Sequence, residues 1–323
     1  MGSVSESTVG IRAIGSYLPE GRVDNLARIA TFGKDAAFVE EKLGFKKLAR
    51  KAADEETSDL CVKACENLLK QVDLPLEEVD CLVVCTQNPD AAGLPHTSAI
   101  VHAKLGLGTS VAAFDISLGC SGYVYGLSVI CSFMEMNGLG NGLLFTADPY
   151  SKVLDPADHN TELLFGDGAT VTWLSRDKPC YRLGRSLFST NGTGQSAIHV
   201  DSEERKVHMK GRSVFNFTMK VVPQQIKACL KVNGCATDDI DRFLLHQGSK
   251  FIVDNMTASL GLPMEKTPFM AMEYGNTVSS SIPMMLKSVI KERPEKILIS
   301  GFGVGLSWAT SILSRNPDNC LPE

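Results

Sequence analysis

The sequence predicts an α/β protein built from two similar halves, and three observations carry that reading. Short, solidly apolar runs of strand length alternate with segments of helix length. Three patterns recur in the same order roughly 155 to 160 residues apart. No flexible linker or low-complexity segment separates the two occurrences, so the halves are expected to pack together. At 323 residues the chain has room for two ordinary domains or one large duplicated one.

The first recurring pattern is an acidic turn, a buried strand and a polar strand end. Leu76-Glu77-Glu78-Val79-Asp80 leads into a strand at 81–85 and then Thr86-Gln87-Asn88. Thr237-Asp238-Asp239-Ile240-Asp241 leads likewise into Phe243-Leu244-Leu245 and then His246-Gln247. The second pattern is a short strand, a Gly/Ser-rich turn and a long apolar segment. It occupies 114–130, ending Ser128-Val129-Ile130, and again 272–290, ending Ser288-Val289-Ile290. The third is Asn141-Gly142 before Leu143-Leu144-Phe145, matched by Glu295-Lys296 before Ile297-Leu298-Ile299. Strands without polar interruptions suit a sheet covered by helices on both faces. The seam is expected near the polar turn Ser175-Arg176-Asp177-Lys178-Pro179, dividing the chain into residues 1–174 and 175–323.

Composition excludes several classes. With 44% hydrophobic and 21% charged residues, the chain is neither disordered nor collagen-like. A net charge of -5 without a long Lys/Arg block argues against nucleic acid as partner. Two uncharged runs, 116–134 and 297–314, approach membrane-spanning length, but Gly and Ser break both and they read as buried core. Residues 1–8 are polar and acidic and do not read as a secretory signal. The ten Cys lack metal-knuckle spacing and any His cluster. The expectation is reduced, buried thiols in a cytoplasmic protein with no metal and no membrane contact.

Among the thiols Cys120 stands apart. It follows a strand and Gly119 and opens an apolar, helix-length segment. A thiol at a helix N-terminus faces unsatisfied N–H groups and the positive end of the dipole, which lowers its pKa. A small buried Cys fits the same place, and local context does not separate the two. His246 sits just beyond an apolar strand, where layered α/β folds place ligand-binding residues, and the duplication sets it at the same edge as Cys120. Asn276, in Tyr274-Gly275-Asn276-Thr277, reads on its own as a turn residue or cap. Gly301-Phe302-Gly303-Val304-Gly305 lets backbone N–H groups approach a substrate oxygen, but it lacks phosphate-loop spacing.

Taken together, Leu118-Gly119-Cys120-Ser121-Gly122-Tyr123, His246-Gln247, Gly275-Asn276-Thr277 with Ile282-Pro283, and 301–308 resemble the β-ketoacyl-acyl-carrier-protein synthase III family. Phe165-Gly166-Asp167-Gly168-Ala169 and Met209-Lys210-Gly211 support the resemblance, which spans about residues 9 to 313. It implies the thiolase fold, an αβαβα five-layer sandwich of two duplicated halves, usually a homodimer. It also implies a catalytic triad of Cys120, His246 and Asn276, with backbone N–H groups of Cys120 and near Gly303 and Val304 as the oxyanion hole. Cys120 would take an acyl group from an acyl-coenzyme A or acyl-carrier-protein donor. His246 and Asn276 would stabilise the enolate formed as a malonyl thioester, on carrier protein or coenzyme A, loses carbon dioxide. No bound cofactor is implied, since coenzyme A or phosphopantetheine thioesters arrive as substrates.

Departures from the family pattern bear on substrate. The Trp and Arg that sandwich the coenzyme A adenine are replaced by Phe38 and Lys42, and a second Arg by His159. These stack less well on adenine, which implies either weaker affinity for free acyl-coenzyme A or a carrier-protein donor, and a specialised pathway is expected. After His246-Gln247, the usual Ala-Asn is Gly248-Ser249. Phe217 and Gly305 are assigned to substrate binding, with Leu94, Phe165 and Met209 as further pocket candidates. Lys220, Lys227 and Lys231 share a face of a helix read over 215–230; with Arg212 and Lys250 they form a candidate docking surface for an acidic acyl carrier protein. An ordinary solvated helix face fits them equally. Competing readings are an acyltransferase or thioesterase passing the acyl group to oxygen, nitrogen or water, and a non-catalytic subunit. A plain thiolase is disfavoured because 301–305 contains no second Cys and Cys320 lies far beyond.

Overall fold

The computed structural model describes residues 8–317 and 319. The segment read against a secretory signal, up to residue 7, and Cys320 lie outside these residues. In chain order come β1 (Gly10–Tyr17), β2 (Gly21–Asp24), α1 (Asn25–Arg28), β3 (Lys47–Arg50), α2 (Thr57–Leu69) and β4 (Cys81–Cys85). There follow α3 (Thr97–Lys104), β5 (Ala112–Ile116), α4 (Gly122–Asn137), β6 (Asn141–Ala147), α5 (His159–Glu162) and β7 (Ala169–Ser175). The chain continues through β8 (Tyr181–Leu183), β9 (Leu187–Thr190), β10 (Ile198–Val200), β11 (Val207–Met209), α6 (Gly211–Val232) and β12 (Arg242–Leu245). It closes with α7 (Lys250–Leu260), α8 (Ser281–Val289), β13 (Lys296–Gly303) and β14 (Ser307–Arg315).

One ten-stranded ladder runs β12-β13-β14-β8-β1-β7-β6-β4-β5, with β9 added on β14. β4 pairs in parallel with both β5 and β6, and β12 pairs in parallel with β13. The short β8 bonds both β14 and β1, joining the two sets of strands. Burial separates the layers. α2 covers one face through Leu60, Ala64 and Leu68, packed against Val84, Phe145 and Val171. α4 and α8 share a central layer, Val124, Leu127 and Ile130 meeting Ile282, Leu286 and Val289. α6 and α7 cover the far face through Val222, Ile226 and Met256 over Phe243 and Leu298. Each strand layer is thus sealed on both faces, which is why β4 is buried at every residue and reads as a solid apolar run.

The structure departs from the repeat pattern at 272. In place of a strand, Ala271 O accepts bonds from the N–H groups of Tyr274 and Gly275, and only an isolated bridge pairs Asn276 with Phe165. Gly275 has φ +85°, a conformation that breaks an extended run, and it lets the chain turn toward the site. The helix read over 215–230 extends to the full α6, Pro223 included.

Candidate active site

The parallel strands set the site. Gln87 follows β4, Cys120 follows β5, Asp148 follows β6, His246 follows β12, and β13 itself runs to Gly303. Strand ends of parallel sheets leave their loops at one edge, so residues distant in sequence converge there.

Cys120 stands two residues before α4, is 7% exposed, and packs against β13. A Cβ added at Gly303 would lie 2.6 Å from the Cys120 sulfur, and one at Gly301 would lie 2.5 Å from the Cys120 carbonyl oxygen. The two glycines are therefore what allow β13 to touch the thiol. The sequence expectation of a low thiol pKa is corrected. Burial pushes Cys120 up to about 12, and the neighbouring Asp148 adds to the rise. N–H groups of Val304 and of Cys120 itself pull the other way without offsetting it. Desolvation of an anion costs more than the start of one helix returns, and Cys120 rests as a neutral thiol.

His246 is 2% exposed and burial pulls its pKa down to about 3, so its imidazole is neutral. Its Nδ1 lies 2.7 Å from the Ser281 hydroxyl, its backbone N–H donates to Ser300 O, and its ring meets the Phe302 ring edge-on at 5.7 Å. In the tautomer in which Ser281 donates to Nδ1, the ring proton sits on Nε2 and can be donated to a substrate oxygen. Asn276 is buried and its Oδ1 accepts the Val278 N–H at 2.9 Å. That fixes the carboxamide with its NH2 as the donating end. Val278 sits at φ +53°, an uncommon value for a β-branched residue, where the Asn276 bond holds it.

Sequence reading missed the groups that hold this arrangement. Asp148, fully buried, accepts the Gln87 N–H at 2.7 Å on one oxygen and the Ser279 hydroxyl at 2.5 Å on the other. Desolvation raises its pKa to about 6 in spite of these bonds. Ser279 lies between Asn276 and α8 and Ser281 opens α8, so Asp148 and His246 grip the same short stretch. The available signal was the run Ser279-Ser280-Ser281 ahead of an otherwise apolar helix.

The other candidates distribute around this centre. Phe165, Met209 and Phe217 join the apolar cluster that contains Cys120, and Phe217 also packs edge-on against Trp308 at 5.2 Å. Leu94 is 85% exposed. Gly305 lies in the turn between β13 and β14. Gly248 lies beside the His246 ring, where an added Cβ would make ordinary contact, and Ser249 caps α7 by accepting the Ile252 N–H. Phe38 and Lys42 line a surface pocket of about 510 Å3 with Gly33, Lys34, Asp35, Ala37 and Glu41. Lys34 already covers the Phe38 ring, its Nζ 5.3 Å from the centroid, while His159 is absent from that lining. Arg212, Lys220, Lys227 and Lys231 are exposed on α6, whereas Lys250 is paired with Asp254. The Phe215–Phe251 pair ties the Arg212 end of α6 to the Lys250 end of α7, and α7 in turn packs on the helical turn Phe38–Leu43. Lys227 and Lys231 lie at the other end of α6, roughly 25 Å from Arg212 at helical rise. A cavity of about 570 Å3 at the ends of α2 and α8 contains none of these residues.

Among the described residues, no group of three or more His, Cys, Asp or Glu is arranged to hold a metal, and no helix is long and apolar enough to cross a membrane. The nine described Cys are free thiols.

Comparison with known proteins agrees with this geometry. The profile of 3-oxoacyl-[acyl-carrier-protein] synthase III matches residues 114–192, and the profile of that enzyme's C-terminal region matches 230–315. A β-ketoacyl-[acyl-carrier-protein] synthase III of Deinococcus deserti is 32% identical over 96% of this chain and 92% of its own length. The crystal structure of the corresponding synthase from Thermus thermophilus superposes with a TM-score of 0.89 at 31% identity, covering 95% of this chain and 99% of that one. The priming β-ketosynthase of the R1128 polyketide pathway superposes at 0.86 with 26% identity, over 98% and 99% of the two chains. With duplicated α/β halves and a Cys, a His and an Asn brought to one sheet edge, this chain belongs to the β-ketoacyl-acyl-carrier-protein synthase III family of thiolase-fold condensing enzymes.

Proposed function

We propose that the enzyme transfers an acyl group from a thioester to Cys120 and then condenses it with a malonyl-type thioester, an acyltransfer reaction of a specialised fatty-acid or polyketide pathway. The observation that carries this reading is the apposition of a buried thiol with the β13 glycine backbone, beside a neutral His246 and an Asn276 whose NH2 is left to donate.

The thiol attacks the thioester carbonyl, and N–H groups of Cys120 and Val304 receive the oxyanion. The donor thiol leaves with the proton that Cys120 gives up. In the second half-reaction, His246 Nε2–H and the Asn276 NH2 donate to the extender's thioester oxygen. The electron pair of the breaking C–CO2 bond then flows into an enolate, whose carbon attacks the acyl-Cys120 carbonyl and expels the Cys120 thiolate, which takes a proton from solvent to return to the thiol. A neutral imidazole suits this step, because it donates without adding a counter-ion for the departing carboxylate. Coenzyme A or phosphopantetheine enters as part of the substrate.

Lys34 over Phe38, with Glu41 and Asp35 in the same pocket, supports a carrier protein over coenzyme A as donor, since adenine would displace a cation from the ring and face two carboxylates. Arg212 and Lys250 stand at the ends of α6 and α7 nearest that pocket and, with Lys220 midway along α6, form the docking face; Lys227 and Lys231 extend it. A homodimer would pair the half-exposed edge strand β5, with its Ala112, Ala113, Phe114 and Ile116, against a second copy.

Intact-protein mass spectrometry of wild type and Cys120→Ala, after incubation with acyl thioesters and a chase with malonyl-carrier protein, tests the whole sequence. An adduct that requires Cys120 and leaves as a β-ketoacyl product is expected. Release only to an alcohol, amine or water would make the enzyme a transferase or thioesterase, and no adduct would remove Cys120 from the mechanism.

A further inference from the structure

Tyr150 follows Asp148 and Pro149 at the end of β6, on the same sheet edge as Cys120. It is 5% exposed, its ring is stacked on Phe165 with centroids 4.4 Å apart, and it belongs to the apolar cluster that contains Cys120. The same cluster holds Leu163, Phe165, Val278 and Leu306. A buried tyrosine hydroxyl normally finds a partner. The backbone of Tyr150 is bonded, through the N–H groups of Val153 and Leu154 to its carbonyl; no hydrogen bond joins its hydroxyl to another described residue, and that oxygen is not fully enclosed but keeps accessible surface. Other large buried tyrosines here are satisfied: Tyr123 by Thr172 and Tyr181 by Pro294 O.

We propose that the Tyr150 hydroxyl is a specificity-determining group that hydrogen-bonds an oxygen on the acyl chain carried by Cys120, selecting 3-oxo- or 3-hydroxyacyl groups over plain alkanoyl groups. This rests on Cys120 being the acylated residue. Burial, with Cys120 and Asp148 adding to it, holds the phenol well above its ordinary pKa, so it remains a neutral donor. The same Asp148 makes the place unsuitable for the extender's carboxylate, because the two anions would share a water-poor pocket. A neutral oxygen has no such conflict. In forming the adduct, the Cys120 S–C bond is made, the donor's C–S bond breaks, and the donor thiol departs with the Cys120 proton; the oxygen at Tyr150 takes no part in the bond changes. A site built to bond an oxygen discriminates against the analogue lacking it, because the hydroxyl is then left unpaired.

The test measures the rate of Cys120 acylation with pantetheine thioesters in matched sets: butanoyl, 3-hydroxybutanoyl and 3-oxobutanoyl, and the same three at eight carbons. Wild type and Tyr150→Phe are compared; the substitution keeps the ring on Phe165 and removes one oxygen. Wild type is expected to prefer one oxygenated donor at least about tenfold at matched length. In Tyr150→Phe the preference falls to about one, with the alkanoyl rate unchanged or higher. The wild-type set separates keto from hydroxyl as the recognised group. A wild-type preference below twofold, as expected if the hydroxyl merely binds water, overturns the proposal, as does a preference that survives Tyr150→Phe. If all donors acylate equally and the adducts condense with malonyl-carrier protein, the condensing reaction stands and the role of Tyr150 falls. If none acylates Cys120, both fall.

Discussion

Replacing Gly303 by Ala probes the contact on which the site depends. The added Cβ would lie 2.6 Å from the Cys120 sulfur and 2.8 Å from its Cβ, against ordinary contacts that begin at 3.4 Å. Strand and thiol must separate by roughly 1 Å, or Cys120 must change rotamer. β13 is held by β12 on one side and β14 on the other, and Cys120 leads directly into the buried α4, so neither element yields freely. Overpacking of this kind costs about 1 to 3 kcal/mol, read as a fall of a few degrees in Tm. A displacement near 1 Å at a reacting atom costs about 100-fold in rate. The assay is the rate of Cys120 acylation by intact-mass measurement beside a thermal melt, with Gly192→Ala, whose added Cβ meets nothing, as control. Acylation within about threefold of wild type at an unchanged Tm would refute the apposition of Cys120 and β13.

Three further predictions follow from protonation and surface chemistry. His246 titrates near 3 when folded and near 6.5 when exposed, so the unfolded chain binds the extra proton. Its contribution is complete above about pH 6.5 and is lost as pH falls toward 3, about 2 to 3 kcal/mol by pH 4.5. Urea midpoints at pH 4.5 and 7 should therefore converge in His246→Asn relative to wild type; parallel losses would refute this. Asp148, raised to about 6, gains a proton below that value and then accepts less strongly from Gln87 and Ser279. Malonyl decarboxylation should fall as pH drops through about 6, and Asp148→Asn should abolish that limb while sparing Cys120 acylation; a limb retained in the variant would rule out Asp148 as its source. Phe38→Trp with Lys42→Arg should tighten coenzyme A binding about 2- to 10-fold by calorimetry, and no change would remove that pocket as the adenine site.

What was legible in the sequence follows from short-range physics. Solid apolar runs such as 81–85 and 297–299 can be strands only if both faces are covered, and their recurrence imposed a layered, duplicated α/β fold. Cys120, His246 and Asn276 each lie at a strand end or turn, but their local patterns left them open; their joint occurrence in the order of a known family is what marked them as candidates. The strand expected at 272 failed because tertiary contact turns Gly275 into the left-handed region, something no period of two or 3.6 encodes.

The protonation states belonged to the tertiary structure alone. A helix N-terminus seemed to promise a thiolate, but desolvation depends on every neighbour at once and reversed the sign, leaving Cys120 near 12 and His246 near 3. Ser281, Ser279, Asp148 and Tyr150 carry no motif, and they come together only because α8, β6 and the end of β12 meet at one edge. Backbone pattern is a local property of the chain, while the energy of a charge or an unpaired hydroxyl is set by the dielectric and partners that folding assembles around it.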